Sequence, residues 1–453
     1  MVRVARYWLL GLVILLAAAS LALLPACGGG GNKGTPTPKA TAVGSPKATP
    51  TKVASPVASP VAGGPLKIGM LFDYTGSLAE FGPNMETGAQ LAIKQINAAG
   101  GVLGKPVQLI KADSGTDPNK AVAAANQLVS VNGVQAIVGS LSSGVTIAVA
   151  EGVAVPNQIV MISPASTSPG LTEVKDNDFL FRTVLSDAAQ GVVLADWAVE
   201  QGYKKVATFY TNNAYGKGLS DQFVKSFEAK GGTVTAAVSH EQEQTTYLSE
   251  LQKAVAGNPE VMVAISYPAE GKIYLREAIE NNLISKFLFV DGTKSQDIID
   301  AIGAAALEGT TGTSPSTTGK AELTAQFDLD YKAEYGKDVP PLPYIRESYD
   351  AVVVIALAAE AAKSTDPTKI RDNLRKVASP PGQKISSGGV GVKQALDAIR
   401  AGTEIDWEGA ANTDNFDKNG DVLTGDIEIF KITGGAFETI KVVPVDLSTQ
   451  VGG

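Results

Sequence analysis

The sequence predicts an α/β fold of two doubly wound parallel-sheet lobes joined by a multi-crossing hinge. Strand-like apolar runs alternate with helical periodicities from Leu66 onward, the alternation runs through two successive series, and the helices that follow have no strands of their own to cover. From Leu66 the chain is long enough for two ordinary domains.

The first series opens with a short apolar strand, Leu66 to Asp73. A helix follows from Pro83 to Ala99, where Met85, Ala89, Ala92, Ile93 and Ile96 recur at helical spacing. Pro83 suits a first helical turn and Gly100 the left-handed cap that ends one. Strands at 106–111, 135–139 and 158–163 then alternate with helices from 117 to about 132 and from 145 to 155. The second series has strands at 205–210, 233–238, 261–266 and 287–291, with helices at 186–200, 215–229, 247–255 and 269–281. Beyond Gly309 the pattern turns mostly helical (320–335, 344–363, 367–377), and these helices are expected to return and pad the first lobe. Residues 425–443 alternate like an antiparallel hairpin that adds strands to the second lobe. The expected N-terminal lobe is therefore 66–185 with 314–405, and the C-terminal lobe 186–313 with 406–445.

Ahead of the lobes, Arg3 and Arg6 precede an uncharged apolar run from Trp8 to Leu24, which reads as a secretion signal over residues 1–26. An ordinary cleaved signal and an uncleaved membrane span are the alternatives. The run ends in Pro25-Ala26 before Cys27, the single cysteine of the chain. This ending resembles the lipobox of bacterial lipoproteins, departing from it at Pro25, and the resemblance implies a lipidated Cys27 and anchoring to the outer face of the cell membrane. Residues 27–64 are almost wholly Gly, Thr, Pro, Ala, Ser, Val and Lys. Such a segment lacks the apolar mass to offset chain entropy, so it reads as a disordered tether.

Composition narrows the function. Of 38 basic residues, Arg3, Arg6, Lys33, Lys39, Lys47 and Lys52 fall before the lobes, leaving 32 against 46 acidic ones, a balance of about −14. Nucleic acid is an unsuitable partner for such a surface. One His and one Cys exclude His/Cys metal centres and a disulfide within the chain. No metal or cofactor is expected. Gly100–Gly104 follows a helix, the wrong order for a phosphate-cradling loop. Asp414–Asp421 alternates acids like a calcium loop, but its glycine falls too early and no closing glutamate follows, so an Asx-rich turn is expected. His240 ends a strand beside Glu241, Gln242 and Glu243, which reads as a solvated edge and not as the base of a serine hydrolase.

Two small-polar loops, Gly139–Gly144 and Ser163–Pro169, lie at the C-terminal ends of successive strands, where open parallel sheets bind ligands. Their hydroxyls and backbone N–H groups, with Ser142, Ser143, Ala165, Ser166 and Thr167 as candidates, suit a carboxylate. Helix capping alone is the competing explanation for the serines. The second lobe offers Tyr215 opening a helix, Tyr267 after a strand and Asp291 at the end of another. A carboxylate-binding face opposite a singly acidic, aromatic face suits a zwitterion, hence an α-amino acid.

Residues 66–443 resemble the branched-chain amino acid (Leu/Ile/Val) binding protein family, type I periplasmic substrate-binding proteins of ABC transporters. The resemblance rests on Leu66-Lys-Ile-Gly69, Asn97–Gly104, Asp117-Pro118, Gly139–Gly144, Ile162–Pro169, Phe181-Arg182-Thr183, Ala214–Gly218, and Phe416-Asp417 with Asn419-Gly420. It implies that Ser142, Ser143, Ala165 and Thr167 hold a ligand carboxylate, that Tyr215, Tyr267 and Asp291 face the amine and side chain, and that Phe81 walls the pocket. It further implies a non-enzymatic, monomeric protein that hands a small amino-acid-like solute to an ABC permease. Two departures stand out: leucine-type members often carry glutamate where this chain has Asp291, and Thr116 and Ser142 replace a disulfide that some members have. A sensor for an amide, urea or aromatic acid, and a secreted hydrolase, are the alternative readings.

Overall fold

The computed structural model describes residues 64–317 and 321–448. The secretion signal and Cys27 lie outside the described residues, as does all of the tether but Gly64. Lys67–Phe72 (β1) is a buried inner strand of a five-stranded sheet with Gln108–Asp113 (β2), Ala136–Gly139 (β3), Val160–Ser163 (β4) and Leu180–Arg182 (β5), in the order β2-β1-β3-β4-β5. Every pairing is parallel, with Lys67 opposite Gln108 and Ile68 opposite Ala136. Both faces are covered, so β3 and β4 read as continuous apolar runs.

The second sheet takes Lys205–Thr211 (β6), Thr233–His240 (β7), Val261–Ile265 (β8), Phe287–Phe289 (β9) and Thr311–Ser316 (β10). A small parallel pair, Gln383–Ser386 (β11) with Ile405–Glu408 (β12), stands apart. The hairpin Thr424–Thr433 (β13) and Ala436–Asp446 (β14) joins the second sheet, whose order is β14-β13-β10-β9-β8-β6-β7. Its first five strands are parallel, and β13 and β14 add antiparallel edges. The hairpin expected from the alternation over 425–443 is therefore present and pairs with β10.

Helix Ile345–Ala361 runs against helix Phe81–Ala98 and is buried along nearly its whole length, which explains its run of Ala and Val. The helices after Gly309 thus return to the first sheet, as their lack of strands implied. Two expectations need correction. The pattern after Gly309 predicts a mostly helical segment, yet it starts with β10, whose Thr-Gly-Thr-Ser-Pro-Ser sequence carries no apolar alternation; Gly312 fits there because a Cβ would lie 2.5 Å from the Phe289 carbonyl oxygen. His240 is no solvated edge: it is 2% exposed, stacks on Phe209 at 4.8 Å and packs with Tyr247 and Tyr274 in the core of the second lobe. Burial lowers its pKa to about 4, so the ring is neutral at pH 7.

The Asx-rich turn expected at 414–421 is present, with the Asp417 carboxylate accepting from the Asn419 and Asp421 backbone N–H groups. Among the described residues, no group of three or more His, Cys, Asp or Glu side chains could hold a metal. Nor is any described helix long and apolar enough to cross a membrane.

Candidate functional site

The strand order of each sheet reverses direction once, at β1/β3 in the first and β6/β8 in the second. The loops leaving the C-terminal ends of those strands face one another across the lobes. Between them lies a small cavity lined by Leu78, Phe81, Leu141, Ser143 and Ala165 from the first lobe's loops and Tyr215, Tyr267, Asp291 and Gly292 from the second, with Tyr344 closing one side. Six residues singled out in the sequence thus line one cavity: Phe81, Ser143, Ala165, Tyr215, Tyr267 and Asp291.

The other three sit just behind it. The Ser142 hydroxyl meets the Tyr267 hydroxyl at 3.0 Å, bridging the lobes. Ser166 turns its hydroxyl inward, donating to the Leu141 carbonyl at 3.1 Å and pairing with Thr146 at 2.7 Å. Thr167 donates to Asp187 at 2.9 Å. Two glycines are required by close approach. Gly139, with φ +131°, would place a Cβ 2.2 Å from the Leu71 carbonyl oxygen, and Gly292 would place one 2.3 Å from that of Ser266.

One arginine sets the shape of the second serine loop. Arg182, 1% exposed, donates from Nη1 to the carbonyls of Thr167 and Ser168 at 3.1 and 2.9 Å, from Nη2 to Thr172 at 3.0 Å, and from Nε to Asp421 at 2.7 Å. A guanidinium has the donor geometry for this and an ammonium does not.

On the opposite wall Asp291 is 3% exposed and accepts from Tyr215 at 2.9 Å, Gln190 at 2.8 Å and Tyr344 at 2.6 Å. Tyr215 and Tyr267 stack, with ring centroids 5.4 Å apart and planes 12° from parallel. Asp187, fully buried at the start of helix Asp187–Glu200, is electrostatically coupled to Asp291, and its Oδ1 has no hydrogen-bond partner. Burial raises the pKa of both acids; the negative charge of Asp291 pushes Asp187 up further, while the three donors hold Asp291 partly down. The Arg182 guanidinium eases Asp187, but its donors are already engaged. Asp291 is thus the one acid among the residues lining the cavity, with Asp187 buried nearby.

Sequence reasoning missed Asp187, Gln190 and Tyr344. Ser186-Asp187 has the composition of an ordinary helix start, and Ser186 does cap the helix through Ala188 N. Tyr344 follows Pro340-Pro341-Leu342-Pro343 and has φ +77°, a left-handed conformation unusual for a bulky residue, which aims its hydroxyl at Asp291.

Two α/β lobes walling one cavity of apolar, aromatic and a few polar side chains define a two-lobed binding-protein architecture. The chain belongs to the periplasmic binding protein family, whose model matches residues 65–393. It is 32% identical over 302 residues to Leu/Ile/Val-binding protein homolog 3 of Brucella melitensis, covering 66% of this chain and 80% of that protein. It is 30% identical over 319 residues to a leucine-, isoleucine-, valine-, threonine- and alanine-binding protein of Pseudomonas aeruginosa, covering 70% of this chain and 83% of the relative. The fold matches a leucine binding protein of Thermotoga maritima with a TM-score of 0.70 and 27% identity, over 83% of this chain and 98% of that one. It also matches a branched-chain amino acid transporter substrate binding protein of Streptococcus pneumoniae in complex with isoleucine, with a TM-score of 0.68 and 26% identity, over 84% of this chain and all of that one.

Proposed function

We propose that the protein is an extracytoplasmic, non-catalytic binding protein that captures a small aliphatic α-amino acid between its lobes and delivers it to an ABC importer. The observation that carries this reading is the buried carboxyl of Asp291, with the carboxyl of Asp187 acting on it from nearby, at a cavity whose apolar lining includes Leu78, Phe81, Leu141 and Ala165. A buried acid pair favours a cationic group, here the ligand's ammonium, and the apolar wall suits an aliphatic side chain. Ser143 and the Ala165–Thr167 segment, with Ser142 behind, take the carboxylate end, while Tyr215, Tyr267 and Asp291 take the amine side. Segments 66–185 with 314–405 and 186–313 with 406–445 act as the two bodies of a hinge. The names of the relatives above support the amino-acid class, and leucine, isoleucine and valine are the first ligands to test.

A thermal-shift screen against the amino acids, short amides and aromatic acids tests this reading, because a ligand that binds only the folded state raises the melting temperature. Leucine, isoleucine or valine is expected to raise it most. A response confined to amides or aromatic acids would sink the proposal.

Lipid anchoring at Cys27 belongs to the same proposal. It predicts that Cys27→Ala moves the protein from the membrane fraction to the soluble one or blocks its processing. A variant that stays fully processed in the membrane fraction refutes it.

A further inference from the structure

The loop between β1 and helix Phe81–Ala98 alternates two kinds of residue. Leu78 and Phe81 line the cavity, whereas Ser77 and Glu80, each one position earlier, reach past it to the other lobe. Ser77 pairs with the Glu270 carboxylate and accepts from Gln242 at 3.1 Å. Glu80 takes the Ser295 hydroxyl on one oxygen and, on the other, the Gln296 and Asp297 backbone N–H groups at 3.0 and 3.4 Å. The arrangement is reciprocal: the first lobe gives a serine and a glutamate, and the second gives a glutamate and a serine. Ser77, Glu270 and Ser295 are buried. None of the four lines the cavity, and on the second lobe Glu270 and Ser295 lie three and four residues from Tyr267 and Asp291.

We propose that Glu80, assisted by Ser77, is a closure latch that holds Leu78 and Phe81 over the cavity by binding Ser295, Gln296 and Asp297 across the lobes. The inference rests on the reading of the cleft as a clamp that closes on a solute. Because the partners stand on different lobes, their bonds exist only in the closed form. The latch therefore sets the closed population, and with it ligand residence, without touching ligand. Glu80 is a positioning residue, and its removal leaves the chemistry of the cavity wall intact.

The test uses the full chain with L-leucine as the probe. Hydrogen exchange is followed at the Gln296 and Asp297 amides, which the latch covers, and at the Gly292 amide, which donates to Tyr215 inside the cavity. Dissociation is followed by stopped flow. Glu80→Ala is expected to release leucine about tenfold faster and to expose the Gln296 and Asp297 amides while Gly292 stays protected; Glu80→Gln, which keeps one acceptor oxygen, falls between. Unchanged dissociation with unchanged exchange in Glu80→Ala overturns the latch. If L-leucine protects Gly292 in neither protein, the amino-acid reading fails, and the latch is judged on the unliganded chain. There Glu80→Ala must speed exchange at Gln296 and Asp297 at least about threefold, and equal exchange overturns it.

Discussion

Asp291 has three neutral donors around one carboxylate and a second acid beside it. Donors of this kind spread a negative charge but do not cancel it, so the pair favours a bound cation. Asp291→Asn keeps the size and one acceptor oxygen and removes the charge. If an ammonium binds there, truncating its buried partner costs about 2–5 kcal/mol, roughly 30- to 3,000-fold in affinity. The unliganded variant should melt no lower than wild type, because the substitution also relieves repulsion with Asp187. The sign of the pH effect follows from the raised pKa of both acids. In the unliganded protein their stability contribution is present at low pH and is lost as pH rises through the raised range, while ammonium affinity moves the opposite way and weakens as pH falls. Calorimetric titration of both proteins at several pH values tests this; an affinity loss under about threefold means that Asp291 does not hold an amine.

The elements that sequence made legible are those whose pattern matches their burial. Strands β1, β3, β4 and β8 are apolar runs buried on both faces, and the helix Pro367–Val377 begins at a proline and shows one apolar stripe. Tyr267 and Asp291 were legible because each follows a readable strand, and Tyr215 because it opens a readable helix. Tyr344 was not, since it reaches the cavity from a proline-rich connection whose sequence position says nothing of its neighbours. β5, at three residues, and β10, built of small polar residues, were too short or too polar to read. The role of Arg182 was equally hidden, because it depends on Asp421 from the Asx-rich turn 239 positions away. That turn thus holds the arginine that pins the 166–168 carbonyls, linking a surface motif to the cavity wall. Arg182→Lys should cost about 3 kcal/mol of unfolding free energy, since one ammonium cannot serve Asp421, Thr172 and the loop carbonyls together. Chemical denaturation tests this, and a loss under about 0.5 kcal/mol would mean that the guanidinium network does not support the loop.

At the scale of the whole molecule, the lobes touch at the cleft through polar side chains as well as through the apolar residues Leu78, Phe81, Leu141, Ala165, Tyr215 and Tyr267. Ser142 meets Tyr267, Ser168 donates to the Ala214 carbonyl at 2.8 Å, Tyr344 binds Asp291, and Glu80 binds Ser295. Contacts of this type exchange readily for water, so opening at the cleft costs far less than unmaking either sheet. Val184, Leu185, Pro315 and Ser316, from the two crossings near 185 and 313, gather with Gly425 and Asp426 around one small pocket that shares no residue with the cleft cavity. A ligand that bridges the two walls has affinity for the closed form alone and must shift the population toward it. The described residues fall within one compact unit, and X-ray scattering of residues 56–453 should give a smaller radius of gyration with saturating ligand than without. If a ligand proven by calorimetry leaves the scattering curve unchanged, solute capture proceeds in a preformed closed cavity, and the hinge has no part in it.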